Sequence, residues 1–407
     1  MNILSERMSN LKPSVIREIF KHMADPEVIS FAAGSPSSDA FPSEKIADIT
    51  AEILRNESNV ALQYSVSEGY PPLREWLKLR LTEKGIFTAR KDAPDDVLIT
   101  SGAQQAIEII TKLICNEGET VVCENPSFIG SLNSFRSYNA NLVGVEMDDE
   151  GINLEKLESA FKSNPRTAFL YLIPNFQNPT GKTMSLKRRK DVLALCDKYK
   201  ILIVEDDPYG ELRFLGADIP SIKQLDVESD LGRVVYVGSF SKTLAPGLRV
   251  GFMCGVAPLL QKATVCIQAS TVHTSILPQM VVHRFVTQNN FNQHIKKLQL
   301  LYKSKAKLML DTLQFNMPLS IDFIEPEGGL FIWGTLPGSW DGLDAAMMMM
   351  FCRKALDNKV AIVPGNAFSP DERVPNLSFR LNFSYPSDDE IQKGVEILSK
   401  VAKTMFK

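Results

Sequence analysis

From about residue 95 onwards, short apolar runs alternate with longer stretches of helical periodicity. Several of the apolar runs lack alternating polar positions, which is typical of strands covered on both faces of a sheet. The stretches 104–114 and 185–199 predict helices, and Ser185 is a suitable N-cap for the second. The predicted strands are 97–100, 120–123, 142–146, 168–173, 201–204, 234–237 and 250–254. This alternation predicts an α/β fold with a mostly parallel central sheet.

The pattern changes after about residue 285. A long charged helical stretch, 294–313, is followed by short predicted strands in "SIDFIEPEGGLFIWGTL", "VAIVPG" and "LSFRLNFS". We therefore expect a large α/β domain over residues 36–285 and a smaller α+β domain over residues 286–407. Residues 1–35 are too few to form a domain alone, so we expect this N-terminal segment to dock on the rest of the chain.

Composition and charge exclude several classes of protein. The chain has 407 residues, 44% of them hydrophobic and 23% charged, as in an ordinary globular protein. Its net charge is −3 without any basic tract, so nucleic acid is not an expected partner. The six cysteines form no Cys-x-x-Cys pair, which argues against zinc and disulfides and favours a reducing compartment. The N-terminus lacks an apolar signal core and polar residues interrupt the stretch 263–283. We expect a cytoplasmic protein with no metal site and no membrane partner.

The candidate chemistry lies directly after the predicted strands, because ligands of an open parallel sheet bind at the carboxyl ends of its strands. The turn at 101–103 opens a helix whose N–H groups favour an anion such as phosphate, although such turns are more often purely structural. Asn178, before a proline, is either a plain turn residue or an amide aimed at a ligand. The carboxylates 205–207, with Tyr209 nearby, are costly at a buried strand end unless a cation is near. A solvated loop is the alternative for these carboxylates.

The stretch "SFSKTLAPGLRVG" at 239–251 places Lys242 and Arg249 between two predicted core strands. A nucleotide-binding P-loop would need glycine where Ser241 stands, and no G-x-G-x-x-G follows a strand. A lone lysine is usually solvated, but a buried lysine loses its charge readily, and a neutral amine attacks aldehydes. Together, a lysine, a carboxylate, a phenol or amide, an arginine and a helix N-terminus meet the needs of pyridoxal 5′-phosphate (PLP).

Ten motifs, in the same order along the chain, resemble those of fold type I, class I/II PLP-dependent aminotransferases, and among them the 2-aminoadipate/kynurenine aminotransferase group. They are "SVIRE", "FAAGSP", "LQYSVSEG", "TSGAQQ", "ENPSFIG", "PNFQNPTG", "VEDDPYGEL", "SFSKTLAPGLRVG", "PGNAF" and "FRLNFS". The resemblance implies an enzyme that moves an amino group between an L-amino acid (2-aminoadipate-like, aromatic or branched) and a 2-oxo acid. It also implies that 2-oxoglutarate is the expected acceptor, that the large domain binds PLP, and that the N-terminal segment packs with the small domain and the substrate site.

For the cofactor, the resemblance assigns roles residue by residue. It gives Lys242 the bond to the aldehyde and the later proton transfer, and it pairs Asp206 with the ring nitrogen. Tyr209 and Asn178 are expected to hydrogen-bond the ring oxygen. The remaining contacts are assigned to Phe128 on the ring face and, at the phosphate, to Ser239, Ser241, Arg249 and the N–H groups of Ala103 and Gln104.

For the substrate, the resemblance assigns Arg380 to the α-carboxylate, with Asn178 assisting. Gly34 would let the backbone approach the substrate. Arg17, whose default interpretation is a solvated helix residue, would meet a side-chain carboxylate. Tyr64 would reach the phosphate of the neighbouring subunit, which implies a homodimer with shared active sites.

The chain departs from the family pattern in three places. Phe128 stands where many relatives carry tyrosine, Ala103 where a hydroxyl is common, and Ala33 where glycine is frequent. These departures remove possible hydrogen bonds to the ring oxygen and the phosphate and narrow the substrate pocket.

Two other functions remain to be weighed against transamination. One is a PLP-dependent β-lyase or decarboxylase on the same fold. The other is a transcriptional regulator that joins this fold to a DNA-binding helix-turn-helix, which needs roughly 70–100 further N-terminal residues. Because the motifs begin within the first twenty residues, we do not expect the regulator.

Overall fold

The structure is a computed structural model, and it describes residues 5–9, 11, 25–88, 94–318, 320–337, 345–371, 374 and 376–406. The strands are β1 (Ile29–Ser30), β2 (Asp95–Thr100), β3 (Thr120–Asn125), β4 (Asn141–Asp148), β5 (Gly151–Ile152), β6 (Thr167–Leu172), β7 (Leu202–Asp206), β8 (Val234–Ser239), β9 (Gly251–Val256), β10 (Asp322–Phe323), β11 (Phe331–Thr335), β12 (Val360–Ala361), β13 (Val363–Pro364) and β14 (Ser378–Asn382). The α-helices are α1 (Glu6–Ser9), α2 (Ser43–Asn56), α3 (Ser58–Ala61), α4 (Pro71–Glu83), α5 (Gly102–Ile114), α6 (Ile129–Ser137), α7 (Leu154–Ser163), α8 (Leu186–Tyr199), α9 (Ile222–Glu228), α10 (Ala257–Ser270), α11 (Ile276–Gln288), α12 (Phe291–Asn316), α13 (Ala345–Asp357) and α14 (Asp388–Met405).

The central sheet has eight strands in the order β2-β9-β8-β7-β6-β3-β4-β5. Strands β8, β7, β6, β3 and β4 run parallel, as the sequence predicts. Strand β9 is antiparallel to both of its neighbours. The segment 240–250 that leads into β9 contains no crossover helix, so the chain turns back rather than returning in the parallel direction.

Helices cover both faces of this sheet, which explains the uninterrupted apolar strands. On β6, Tyr171 packs with side chains of α5, α6 and α10 on one face. Its neighbours Leu170 and Leu172 pack with side chains of α7, α8 and α9 on the other face. Because successive side chains of a strand point to opposite faces, every position of such a strand is buried.

The C-terminal part forms a separate antiparallel sheet in the order β10-β11-β14-β13, accompanied by α12, α13 and α14. The N-terminal segment joins it, because β1 pairs with β12 and the N–H of Asn382 donates to the carbonyl of Phe31. This pairing brings the backbone around Gly34 next to β14. The domain boundaries given above stay predictions.

Several local predictions can be compared with the structure. Ser185 caps α8 by accepting a hydrogen bond from the N–H of Arg188, as predicted. The predicted helix 294–313 is longer, Phe291–Asn316, because Asn290 caps an earlier first turn. All six cysteines are free. Within the ranges described above, no helix combines the length and apolarity needed to cross a membrane, and no three metal-binding side chains cluster.

Candidate active site

A cavity of about 630 Å³ opens at the carboxyl ends of β6, β7 and β8, where the sequence predicts the ligand. It is lined by twelve of the fourteen predicted site residues, which come from the regions of both sheets and from the segment around Gly34. These residues are Gly34, Ala103, Gln104, Phe128, Asn178, Asp206, Tyr209, Ser239, Ser241, Lys242, Arg249 and Arg380.

The lysine of the cavity is half-buried, and its pKa is lowered. The Nζ of Lys242 donates a hydrogen bond of 2.7 Å to the carbonyl of Gly34. Burial lowers the pKa of Lys242 to about 8, with help from the positive charges of Arg380 and Arg249. At neutral to mildly alkaline pH, a useful fraction of this amine is therefore neutral and able to attack a carbonyl or take a proton.

The three consecutive carboxylates at the end of β7, residues 205–207, lie in three different environments. Glu205 accepts from the N–H groups of Ile222 and Lys223, at the start of α9. Asp207 accepts from the side chains of Asn175 and Tyr236. Only Asp206, the middle carboxylate, lines the cavity. The alternative of a solvated loop is wrong for Glu205 and Asp206, which are buried, whereas Asp207 is half-buried.

Asp206 is 2% exposed, and burial raises its pKa to about 7. Its Oδ2 accepts a hydrogen bond from Tyr171, whereas its Oδ1 has no hydrogen-bond partner within the described part of the protein. A buried carboxylate oxygen without a partner costs free energy, and a bound cationic N–H group would relieve that cost.

Tyr171 is a residue of this site that sequence reasoning missed. It lies within the apolar run of β6, where an aromatic side chain indicates only core packing. Sequence reasoning also missed Ser131 of α6, which donates to the Tyr171 hydroxyl. Neither lies at a strand end, so the rule that located the other residues does not find them.

The other end of the cavity is suited to a phosphate. Ala103 and Gln104 lie in the first turn of α5, and the Arg249 side chain donates to the carbonyl of Ser101 and to Ser241. Ser241 also accepts a hydrogen bond from Ser239. Hydroxyls, a guanidinium and a helix N-terminus together form an anion site.

A buried arginine faces the same cavity from β14. Arg380 is 3% exposed and donates to the side chain of Asn178 and to the carbonyl of Ala32. Its guanidinium lies over the rings of Phe331 and Phe368, 4.3 and 4.9 Å from their centroids. It makes no ion pair with any carboxylate of the described ranges, so its charge is available to a ligand carboxylate. Burial lowers the pKa of Arg380 to about 10, which leaves it cationic at neutral pH.

The two remaining predicted site residues are Tyr64 and Arg17. Tyr64 is 80% exposed and packs edge-on against His273. Its assigned contact is with a second subunit, so the single chain does not test it. Arg17 lies outside the described residues.

These side chains fit PLP. The unpartnered Oδ1 of Asp206 suits a protonated ring nitrogen, and Lys242 suits the aldehyde. The arginine and the two serine hydroxyls near the N-terminus of α5 suit the phosphate. Tyr209, whose hydroxyl is 3.5 Å from the Asn178 amide nitrogen, lines the same cavity and suits the ring oxygen.

The comparison with known proteins agrees with this fit. Residues 26–398 match the family model described as aminotransferase class I and II. The chain belongs to this family. It is 37% identical to aromatic-amino-acid aminotransferase 1 of Thermococcus litoralis, over 99% of this chain and 94% of that protein. It is 38% identical to the 2-aminoadipate transaminase of Thermus thermophilus, over 97% of this chain and 95% of that protein.

A solved aminotransferase has the same architecture. The structure of Pyrococcus horikoshii kynurenine aminotransferase, determined with PMP, superposes with a TM-score of 0.91 at 37% identity and covers 100% of this chain and 98% of that one. The predicted class I/II, fold type I aminotransferase is thereby confirmed, and so is the prediction of PLP as its cofactor.

Proposed function

We propose that this aminotransferase exchanges the amino group of an L-amino acid with a 2-oxo acid, and that 2-oxoglutarate is the common acceptor. The observation that carries the proposal is one cavity that holds both a lysine with a lowered pKa and a buried arginine without a carboxylate partner among the described residues. A lysine suits the cofactor and the proton transfer, and an arginine suits the carboxylate that every amino acid and 2-oxo acid carries.

The role of each side chain follows from its position in the cavity. PLP, when bound, withdraws electrons from the substrate Cα and so makes its proton acidic. Asp206 would hold the ring nitrogen through Oδ1, and Arg249 with Ser241 would hold the phosphate. Arg380 would bind the α-carboxylate with the help of Asn178, and Lys242 Nζ would carry a proton between the substrate Cα and C4′ of the cofactor, in opposite directions in the two half-reactions.

The remaining assigned roles are proposed on the same basis. Phe128 lines the cavity at the N-terminus of α6, where its ring can stack on the cofactor. Ala103 and Gln104 would offer their N–H groups to the phosphate. We retain the role of Arg17 toward an acidic side chain as a proposal from the family resemblance.

The substrate class rests on the relatives. The proteins with substantial identity are named for aromatic amino acids, 2-aminoadipate and kynurenine. We therefore propose that the donor is a 2-aminoadipate-like, aromatic or branched amino acid. We also propose a homodimer with shared active sites, in which Tyr64 serves the neighbouring subunit, and a cytoplasmic location, which the six free cysteines favour.

The test is a panel of acidic, aromatic and branched amino acids, each mixed with 2-oxoglutarate and holoenzyme while glutamate formation is measured. We expect glutamate to form in proportion to the donor consumed, and Lys242→Ala to abolish it. Release of ammonia with pyruvate, or of carbon dioxide, without any requirement for 2-oxoglutarate would instead identify the β-lyase or decarboxylase.

A second measurement tests the covalent bond independently of turnover. Borohydride reduction followed by peptide mass spectrometry should find the cofactor attached to Lys242. Attachment to another lysine, or no attachment, would contradict the proposed role of this residue.

A further inference from the structure

A line of hydrogen bonds beneath the proposed cofactor site connects three elements of the large domain. Ser131 Oγ, on α6, donates to Tyr171 Oη, on β6, over 2.8 Å. Tyr171 Oη in turn donates to Asp206 Oδ2, at the end of β7, over 2.6 Å. Ser131 and Tyr171 are both fully buried, so water does not compete for these bonds.

The direction of these bonds is fixed by chemistry. An ionised carboxylate only accepts, so the Tyr171 proton must point at Asp206. The hydroxyl of Ser131 then supplies the proton that the phenol oxygen accepts. With Oδ2 held in this way, the carboxylate cannot rotate freely, and Oδ1 is the oxygen left without a partner in the described part of the chain.

We propose that Tyr171, oriented by Ser131, is a positioning residue for Asp206, which it holds ionised and with Oδ1 available to the protonated ring nitrogen of PLP. This inference rests on the proposed contact between Asp206 and the ring nitrogen. Tyr171 itself acts through the carboxylate and does not line the cavity.

The charges around Asp206 show why such a donor is needed. Burial raises the pKa of Asp206, the neighbouring carboxylate of Asp207 raises it further, and the hydrogen bond from Tyr171 lowers it. Glu124, on β3, is a second buried carboxyl close enough to interact with Asp206, and its own pKa is raised to about 8 by burial. Tyr209 also faces Asp206. None of these neighbours carries a positive charge. Apart from the lysine and arginines of the cavity, the hydrogen bond from the Tyr171 phenol is therefore a main interaction that stabilises the ionised form of Asp206.

Removal of the phenol hydroxyl should therefore change the charge on the cofactor ring. In Tyr171→Phe, Asp206 loses this hydrogen bond and becomes protonated more readily. A protonated Asp206 stabilises the protonated ring nitrogen less than an ionised one does. The ring nitrogen should then be less protonated than in the wild-type holoenzyme. This shape-conserving variant leaves the aromatic packing of Tyr171 against Phe135 in place.

The experiment reconstitutes each variant with PLP that carries ¹⁵N in its ring and records the nitrogen chemical shift by solid-state NMR, without substrate. The matched control is Tyr199→Phe, because Tyr199 also donates to a carboxylate, Glu158, over 2.9 Å but lies outside the cavity. Equilibrium dialysis measures the dissociation constant of PLP in parallel.

We expect a protonated ring nitrogen in the wild type and in Tyr199→Phe, and a shift toward the unprotonated value in Tyr171→Phe. We also expect the dissociation constant of PLP to rise about tenfold in Tyr171→Phe, as for a lost hydrogen bond to a charged group. Ser131→Ala should shift the signal in the same direction by a smaller amount, and it carries the test if Tyr171→Phe does not fold.

An unchanged nitrogen signal in both folded variants overturns the inference even if affinity falls, because a purely structural role weakens binding without altering the charge on the ring. An unprotonated ring nitrogen in the wild type would overturn the role of Asp206 itself, and the inference with it. A protonated wild type with unchanged variants overturns the inference alone.

Discussion

Lys242 and Arg380 show how a lowered pKa has different consequences for two cations. Burial lowers the pKa of both, to about 8 for the half-buried lysine and to about 10 for the buried arginine. At neutral pH the arginine therefore stays charged and can bind a carboxylate, whereas the lysine can exchange its proton. The difference in their ordinary pKa values separates the two roles.

The lowered pKa of Lys242 predicts how covalent attachment of PLP depends on pH. Because only the neutral amine reacts, the rate at which apoenzyme attaches PLP should rise with pH and level off above about pH 8. Stopped-flow absorbance on mixing apoenzyme with PLP measures this rate, and Lys242→Ala should give no such signal. A rate that keeps increasing up to about pH 10.5, the value of an ordinary lysine, would contradict the prediction.

The role of Arg380 predicts a selective loss of substrate affinity. Arg380→Lys keeps the positive charge but loses the forked pair of N–H donors, so kcat/KM for the amino donor should fall between tenfold and a hundredfold, roughly 1.5–3 kcal/mol. The PLP dissociation constant should stay the same. Arg233→Lys is the matched control, since Arg233 pairs with Asp197 outside the cavity. Equal losses in both variants would remove Arg380 from carboxylate binding.

At the scale of elements, the turn that opens α5 is shaped by close packing against β9 and Arg249. Gly102 has a φ of +74°, and a Cβ there would lie 2.3 Å from Arg249 Nη2. A Cβ on Gly251, at the start of β9, would lie 2.5 Å from the Gly102 carbonyl carbon. The two glycines let a helix N-terminus and an arginine converge on the position proposed for the phosphate.

Gly102→Ala should therefore weaken cofactor binding more than it weakens the fold. The added methyl group displaces the Arg249 guanidinium and strains the backbone at a positive φ, so the PLP dissociation constant should rise at least about tenfold. Gly247→Ala is the control, because a Cβ there meets no atom within 4 Å and Gly247 lies in the same loop as Arg249. PLP titration followed by fluorescence measures both variants, and equal affinities would refute this account of the turn.

At the scale of the whole molecule, the site depends on contact between the two sheets. Asp206 ends β7 of the central sheet and Lys242 follows β8 of the same sheet, whereas Arg380 comes from β14 of the smaller one. The N–H of Ser127 donates to the carbonyl of Phe368, whose ring packs on Arg380. The guanidinium of Arg136, on α6, donates to the carbonyls of residues 369 and 370. These contacts set the distance between the carboxylate-binding end and the cofactor end of the cavity.

The proposed homodimer makes a prediction at the same scale. If Tyr64 serves the neighbouring subunit, a heterodimer of Lys242→Ala with Tyr64→Phe places both defects in one site and leaves the other site intact. Purified through two different tags, this heterodimer should have about half the activity of the wild-type dimer, one intact site out of two. If Tyr64 instead serves its own subunit, the one site that keeps Lys242 also carries the Tyr64→Phe substitution. The activity of the heterodimer should then be half of that of the Tyr64→Phe homodimer. Single-subunit behaviour in analytical ultracentrifugation would contradict the dimer itself.

The sequence alone determined the α/β order, the parallel sheet and most of the residues that line the cavity. It could do so because the carboxyl ends of parallel strands lie along one edge, so that residues which follow separate strands, such as Asn178, Asp206 and Lys242, are brought together by the topology. The family resemblance added Arg380, whose strand pattern by itself indicates a surface residue.

The family resemblance selected Asp206 among the three carboxylates at 205–207, but only the tertiary structure decided how the other two are engaged, since their order along the chain says nothing of those hydrogen bonds. It also decided that Tyr171 belongs to the site, because a buried aromatic side chain on a strand looks the same in sequence whether its hydroxyl meets a functional carboxylate or not. Both decisions depend on contacts between residues distant in sequence, and such contacts exist only once the elements have packed.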